Sequence, residues 1–241
     1  MPAKKVAQDK VAVITGGGSG IGMAIARVFT ASGYSVVITG RDAKRLQKAA
    51  QTISADKKQV ISISCDVRNP ASVEKLFQEV RKEHATIDVL VNNAGVAHSL
   101  APVDQLSVET WKEVIDTNLT GTFLVTRMAL PLMRAGGTIV NNLSVAALQP
   151  FAGMAAYNAS KFGALGFTHA LREDLRKRRI RVLALLPGAT NTEIWGQFWP
   201  EAPKQNMISP ETVAQAVLHA VSAPPNTAIE EIRIGPAAGV L

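Results

Sequence analysis

Short apolar runs rich in Val and Ile recur along the chain, separated by longer stretches in which apolar residues return every three or four positions. The first pattern is that of strands covered on both faces, the second that of amphipathic helices. Strands are predicted over residues 11–15, 35–39, 60–64, 87–91, 138–143, 181–186 and 229–234. Helices are predicted over 21–31, 43–54, 71–83, 108–134, 154–178 and 210–222. Helix-start signals agree with several of these: Asn69 before Pro70, Ser107 before the Trp111 segment, and Ser209 before Pro210.

Regular alternation of this kind, with no internal repeat, low-complexity tract or linker, predicts an α/β protein. The expected architecture is a single doubly wound (Rossmann) domain, a seven-stranded parallel sheet flanked by helices. Residues 1–9 read as a flexible N-terminal tail and residues 10–241 as the domain. Residues 189–208 carry no assigned element, a length that in compact domains marks a lid.

Composition narrows the class without changing it. A hydrophobic content of 47% with 19% charged residues excludes general disorder and supports a sizeable core. The single cysteine, Cys65, excludes an internal disulfide and a cysteine-based zinc cluster, and His84, His98, His169 and His219 show no metal-ligand spacing. No metal site is therefore expected. The start, Met1-Pro2-Ala3-Lys4-Lys5, lacks an apolar signal core, and no apolar run approaches the roughly 20 residues of a membrane helix. A soluble cytoplasmic protein with no membrane partner is the expectation.

The net charge of +7 raises a nucleic-acid reading, but it is local. Arg176, Lys177, Arg178, Arg179 and Arg181, together with Lys4, Lys5 and Lys10 net of Asp9, account for all of it. The basic run follows a long helix, where cations suit a C-terminus, and it lacks interleaved aromatics. No nucleic-acid partner is expected.

The chemistry concentrates at strand ends. After the first strand comes Gly16-Gly17-Gly18-Ser19-Gly20-Ile21-Gly22, opening a helix. Glycines there permit a tight turn, close approach of backbone to a pyrophosphate and close helix packing, while the helix N-terminus offers free N–H groups. A tight turn with no ligand tolerates the same glycines. The second strand ends at Gly40-Arg41, with no acid to bond a free ribose 2′-hydroxyl and an arginine suited to a 2′-phosphate. Asp42, ahead of a helix, reads as an N-cap. NADP is favoured over NAD on Arg41. Asp66 and Val67, after the third strand, fit an adenine contact or an ordinary loop; Asn92-Asn93-Ala94-Gly95 follows the fourth strand at the same edge.

Ser144 precedes Tyr157, and Lys161 lies one helical turn beyond the tyrosine. Tyrosine beside a cation is a plausible general acid/base, although a lone pair of this spacing is usually a surface pair. Its company gives it meaning. The residues Thr15-Gly16-x-x-x-Gly20-Ile21-Gly22, Asn92-Asn93-Ala94-Gly95, Asn118, Ser144, Tyr157-x-x-x-Lys161 and Pro187-Gly188 resemble, in order, the motifs of the short-chain dehydrogenase/reductases. The resemblance runs from Lys10 to about Ile234.

What the resemblance implies is reversible carbonyl reduction with a nicotinamide cofactor, in which Tyr157 moves the proton and Ser144 holds the carbonyl oxygen. Lys161 would lower the tyrosine pKa and bond the nicotinamide ribose; Asn118 would hold a water linking Lys161 to solvent. Gly16, Gly18, Ser19, Gly20, Ile21, Gly22, Arg41, Asp66, Val67, Asn92, Ala94, Gly95, Pro187, Gly188, Thr190 and Thr192 would contact the cofactor along with Tyr157 and Lys161. It also implies a homodimer or homotetramer. Ser19 stands where many NADP-preferring relatives carry a basic residue, and Thr190 where an apolar one is common.

The lid segment holds Trp195, Phe198 and Trp199, which suit the wall of an apolar substrate pocket or packing against the domain or a neighbouring subunit. The leading expectation is an NADP-dependent reductase of a small or medium apolar ketone or aldehyde. The alternatives are an NAD-linked alcohol dehydrogenase and a non-catalytic nucleotide sensor.

Overall fold

A computed structural model describes residues 10–56 and 58–239; the expected tail over 1–9 lies outside them. The strands are β1 (Val11–Thr15), β2 (Ser35–Gly40), β3 (Val60–Ser64), β4 (Ile87–Asn92), β5 (Met133–Asn142), β6 (Arg181–Pro187) and β7 (Glu231–Ile234). All pair in parallel in the order β3-β2-β1-β4-β5-β6-β7, so the seven-stranded doubly wound sheet is observed. The helices are α1 (Gly20–Ala31), α2 (Ala43–Ile53), α3 (Pro70–Glu83), α4 (Val108–Ile115), α5 (Gly121–Ala129), α6 (Ala155–Leu175) and α7 (Pro210–Val221).

Strand parity divides the core. Ile14, Val36, Val89 and Leu183 face Ile25, Phe29 and Val217 of α1 and α7. Val13, Val37, Leu90 and Ile139 face Leu76, Val125 and Leu171 of α3, α5 and α6. Burial on both faces is why these strands are continuous Val/Ile runs rather than alternating ones. The chain reverses direction of progress between β1 and β4, which leaves a crevice at their carboxyl ends.

The caps behave as their residue types require. Asp42 accepts a hydrogen bond from the Arg45 N–H at 3.0 Å, so it is the N-cap of α2. Asn69, Ser107 and Ser209 cap α3, α4 and α7 in the same way.

The long helix predicted over 108–134 is instead broken. Between α4 and α5, Asp116–Thr120 forms a π-helical turn, and Leu130–Leu132 closes α5 as a 3-10 turn containing Pro131. At the start of α5 a side chain on Gly121 would lie 2.8 Å from Val67 Cγ2, so the helix passes against the β3–α3 loop with no room for a methyl group. β5 correspondingly begins at Met133, five residues before the predicted start, and is irregular between the pairs formed by Ile87 and Val89. The lid segment is not structureless: Thr190 bridges to Ile208, and 3-10 turns span Glu193–Gln197 and Lys204–Asn206.

Two members of the basic run are bound to backbone, and Arg176 pairs with Glu173. Arg181 donates to the carbonyls of Val221, Ala223 and Thr227, and Arg178 donates to that of Leu130. No described helix is long and apolar enough to cross a membrane.

A buried polar ladder ties the sheet centre to two helices. Asn92 Nδ2 donates to Thr126 Oγ1 at 2.9 Å and to Asn141 Oδ1 at 2.8 Å, and Asn141 Nδ2 donates to Thr168 Oγ1 at 2.9 Å. It joins β4 and β5 to α5 and α6, where unpaired polar groups would be costly. Replacing Asn141 by Ala removes two of these bonds and opens a hole; a loss of about 2–4 kcal/mol in urea unfolding is expected.

Candidate active site

The crevice between β1 and β4 opens into a cavity of about 1030 Å³. Thr15 sets its floor: its Oγ1 accepts the N–H groups of Asn93 and Ala94, each at 2.9 Å. Gly16 turns the chain with φ +65°, and a methyl group there would stand 2.8 Å from Asn93 Nδ2. Gly20, at φ +51°, touches the lid residue Thr192. Ser19 flanks α1 without a side-chain cap, so the helix N-terminus faces the cavity with unsatisfied N–H groups.

Gly16, Gly18, Ser19, Gly20 and Ile21 line the cavity, as do Arg41, Asp66, Val67, Ala94 and Gly95. Pro187, Gly188, Thr190, Thr192, Ser144, Tyr157 and Lys161 complete the expected set at the other end. Three expected contacts are absent from the wall. Gly22 is buried behind the turn, where a methyl group would meet the Gly16 carbonyl oxygen at 2.4 Å; its role is close packing. Asn92 turns into the polar ladder, and it is Asn93 that reaches the cavity. Asn118 lies behind the wall on the π-helical turn.

Asn118 is a joint. Its amide nitrogen donates to the Val96 carbonyl and to Ser160 Oγ, both at 2.9 Å, and its amide oxygen accepts the Val96 N–H at 2.9 Å. The amide thus fastens the segment after β4 to α6. Its backbone carbonyl accepts the Thr122 hydroxyl at 2.8 Å.

At the adenosine end expected for a dinucleotide, Arg41 is exposed, with Glu113 at 3.7 Å. Glu113 also faces Arg68, which forks onto Asp66 and holds its carboxyl below the ordinary range. Sequence reasoning missed Arg45: it donates to the Gly18 carbonyl at 3.4 Å, pairs with Glu193 of the lid and lines the cavity. A cation one turn into a helix carries no local signal of this placement.

At the other end, Ser144 and Tyr157 line the same part of the cavity, and Lys161 Nζ lies 5.5 Å from the Tyr157 ring centroid. Lys161 donates to the Asn142 carbonyl at 3.1 Å. The expected lowering of the tyrosine pKa is not what the surroundings give. Burial raises the phenol, with the Ser144 hydroxyl acting against it, and burial pushes Lys161 down to about 8. Among the described residues no metal-binding cluster occurs.

The aromatic lid residues stack on one another, with Trp195 ring centroids 4.9 Å from Phe198 and 6.0 Å from Trp199. The lid is pinned across the opening: Gln197 Oε1 accepts the Ala97 N–H at 2.8 Å, and Trp195 Nε1 donates to the Thr190 carbonyl at 2.8 Å. Gln197 was not anticipated, nor was Arg233, which reaches the cavity from β7.

A doubly wound sheet with a glycine turn at its switch point and Ser, Tyr and Lys at the opposite end of one cavity defines a nucleotide-binding oxidoreductase class. Comparison with known proteins specifies the family. The short chain dehydrogenase profile matches residues 10–203. An uncharacterized oxidoreductase of Staphylococcus saprophyticus is 34% identical over 95% of this chain and 98% of its own. Among solved structures, an alcohol dehydrogenase of Thermococcus sibiricus complexed with 5-hydroxy-NADP superposes with a TM-score of 0.87 at 28% identity, over 96% of this chain and 98% of that one. The 3-ketoacyl-(acyl-carrier-protein) reductase of Brucella melitensis complexed with NADH gives 0.87 at 27% identity, over 95% and 97%. The chain belongs to the short-chain dehydrogenase/reductase family of oxidoreductases.

The low Lys161 value has a consequence for stability. An unfolded lysine titrates near pH 10.4, above the folded value of about 8. Between these values the unfolded chain binds more protons, so stability rises with pH. From about pH 7.5 to about pH 9.5 the gain from this group is about 2 kcal/mol. Urea midpoints should show that increment in the wild type and lose it in Lys161→Met.

Proposed function

We propose that this protein is an NADP(H)-dependent oxidoreductase that reduces a small or medium apolar ketone or aldehyde to the alcohol, reversibly. The observation that carries the reading is the shared cavity: Tyr157, with Ser144 in the same wall and Lys161 one turn away, opens onto the space that the glycine turn and Arg41 also line. NADPH, when bound, supplies the hydride. The glycine turn and the α1 N-terminus would hold its pyrophosphate, and Arg41 with Arg45 its 2′-phosphate. Pro187, Gly188, Thr190 and Thr192 would hold the nicotinamide end, and Asp66 and Val67 the adenine. Solved relatives carry either NADP or NADH, so the choice of NADP rests on the two arginines.

The chain's own part in the chemistry is placement and proton transfer. Ser144 donates a hydrogen bond to the carbonyl oxygen and Tyr157 gives that oxygen its proton. Burial raises the Tyr157 pKa, so the phenol carries its proton at neutral pH, the form a proton donor needs in the reductive direction. A non-catalytic sensor would have no use for this arrangement. Lys161 supports the phenol and the ribose, and Asn118 positions α6 and the segment after β4 rather than touching the reacting atoms. Trp195, Phe198 and Trp199 exclude water and receive the apolar part of the substrate.

Exposed Trp111, Phe123 and Phe162 on α4, α5 and α6 favour a homodimer or homotetramer. A cytoplasmic location completes the reading. Phe162→Glu is expected to lower the mass measured by light scattering.

The test of the chemistry is NADPH oxidation across a carbonyl panel. Tyr157→Phe is expected to lower kcat by about 10³-fold, and retained turnover would remove Tyr157 from the role of acid. In calorimetry 2′,5′-ADP should bind about tenfold or more tightly than 5′-AMP, and Arg41→Ala should narrow that ratio.

A further inference from the structure

Beyond Lys161, one more cation belongs to the substrate half of the cavity. Arg233 lines it together with Ile234, Gly235 and Pro236, although nothing in the local sequence around β7 suggests a site. The sheet register explains how it arrives there. Arg233 pairs with Leu186 and Ile234 with Pro187, and Gly235 approaches Gly188 so closely that a methyl group on Gly188 would lie 3.2 Å from its Cα. Arg233 is therefore attached directly to the turn that borders the proposed nicotinamide position.

Parity fixes the face. Ile232 and Ile234 pack into the core beneath α1 and α7, so Glu231 and Arg233 project to the other side, where α6 lies. Glu231 confirms the direction, since its Oε1 lies 2.9 Å from Nε2 of His169 on α6. As a crossover helix, α6 runs against the strands, so one step from Glu231 to Arg233, about 6.6 Å, leads away from His169 and toward Tyr157.

Arg233 is exposed on the edge strand of the sheet, so its guanidinium is open to solvent and to an incoming anion. Among the described residues, no carboxylate pairs with Arg233 and no backbone carbonyl accepts from it, in contrast to Arg172, Arg178 and Arg181, which all bond carbonyl oxygens. The same cavity is lined by apolar residues, including Val96, Phe151, Met154 and the stacked lid aromatics. The acids of the cavity wall, Asp42, Asp66 and Glu193, are already engaged by the Arg45 N–H, Arg68 and Arg45. A planar fork of donors in such a place matches a carboxylate in geometry and charge.

We propose that Arg233 selects the substrate, and that the substrate is a carbonyl compound bearing a carboxylate: an oxo acid whose apolar portion meets Trp195, Phe198 and Trp199 and whose carboxylate meets Arg233. The proposal rests on the reductase reading and narrows its substrate class. The chemistry is that already proposed: hydride to the carbonyl carbon, a proton from Tyr157 to its oxygen, and an unchanged carboxylate acting as a handle.

The experiment compares 2-, 3- and 4-oxo acids of increasing chain length with their methyl esters, using purified protein and NADPH. The wild type should reduce at least one acid with kcat/KM about tenfold or more above its ester, and Arg233→Gln should bring that ratio to about one, chiefly by raising KM for the acid. Arg233→Lys should restore part of the preference. Added salt should weaken the acid more than the ester. Esters equal to or better than every acid in the wild type, or an acid-to-ester ratio unmoved by Arg233→Gln, would overturn the carboxylate proposal while leaving the reductase reading intact. If no acid, ester or simple ketone and aldehyde in the panel is reduced, both readings fall.

Discussion

The cavity depends on one hydroxyl. Thr15 Oγ1 ends β1 by accepting two backbone N–H groups from the segment after β4, and this holds the two strand ends together where the sheet would otherwise part. Asn93 adds a second tie, donating to the carbonyls of Thr15 and Gly16 at 2.9 and 3.2 Å. Backbone comes so close here that side chains at positions 16 and 22 have no space. The glycines are thus required twice: Gly16 for its left-handed φ, and Gly22 because a neighbouring carbonyl fills the position of its Cβ. A turn built this way presents backbone donors at a helix N-terminus, which is a chemical preference for phosphate before any side chain is considered.

The second joint carries the opposite end. Asn92, Asn141 and Thr168 run through the centre of the sheet into α6, and Asn118 fastens α6 to the segment after β4 through Ser160 and Val96. Hydrogen-bonded buried amides impose direction in a way that Val and Ile packing does not. They fix the register of the helix that bears Tyr157 and Lys161 against the strand that bears Ser144. The π-helical turn makes this possible by bringing Asn118 inward where a regular helix would have continued past.

How far the sequence was legible follows from the range of the forces involved. Strand runs, helix faces and caps are local, and the caps Asp42, Asn69, Ser107 and Ser209 stand where the pattern puts them. The break at Asp116–Thr120 was not read from the sequence because the apolar periodicity runs on through it and the cause is tertiary: the passage of Gly121 over Val67 and the capture of Asn118. Of the motif residues, Gly16, Ser144, Tyr157 and Lys161 line the cavity, while Gly22, Asn92 and Asn118 lie behind its wall in packing and hydrogen-bond positions that the motif spacing does not announce. Arg45 and Arg233 were invisible for the converse reason. They reach the cavity through a helix turn and a sheet register that no neighbouring residue announces.

Burial has a further effect on the proton chemistry. A lysine one turn from a tyrosine suggests a phenol driven toward its anion, yet enclosure penalises both charged forms, raising one pKa and lowering the other. Tyr157, protonated at neutral pH even at its ordinary value, is held there more firmly, and Lys161, at about 8, is the group of the pair that exchanges a proton close to physiological pH. The proposed reduction needs a donor that holds its proton until negative charge develops on the substrate oxygen. A buried phenol meets that condition, because the incipient oxyanion, rather than solvent, is the base strong enough to take the proton. Lys161 then favours the phenolate left behind, and its charge acts after transfer rather than before it. The same enclosure that disfavours the free phenolate therefore times the proton, which is a property of the joined helix and strands rather than of the Tyr-x-x-x-Lys spacing.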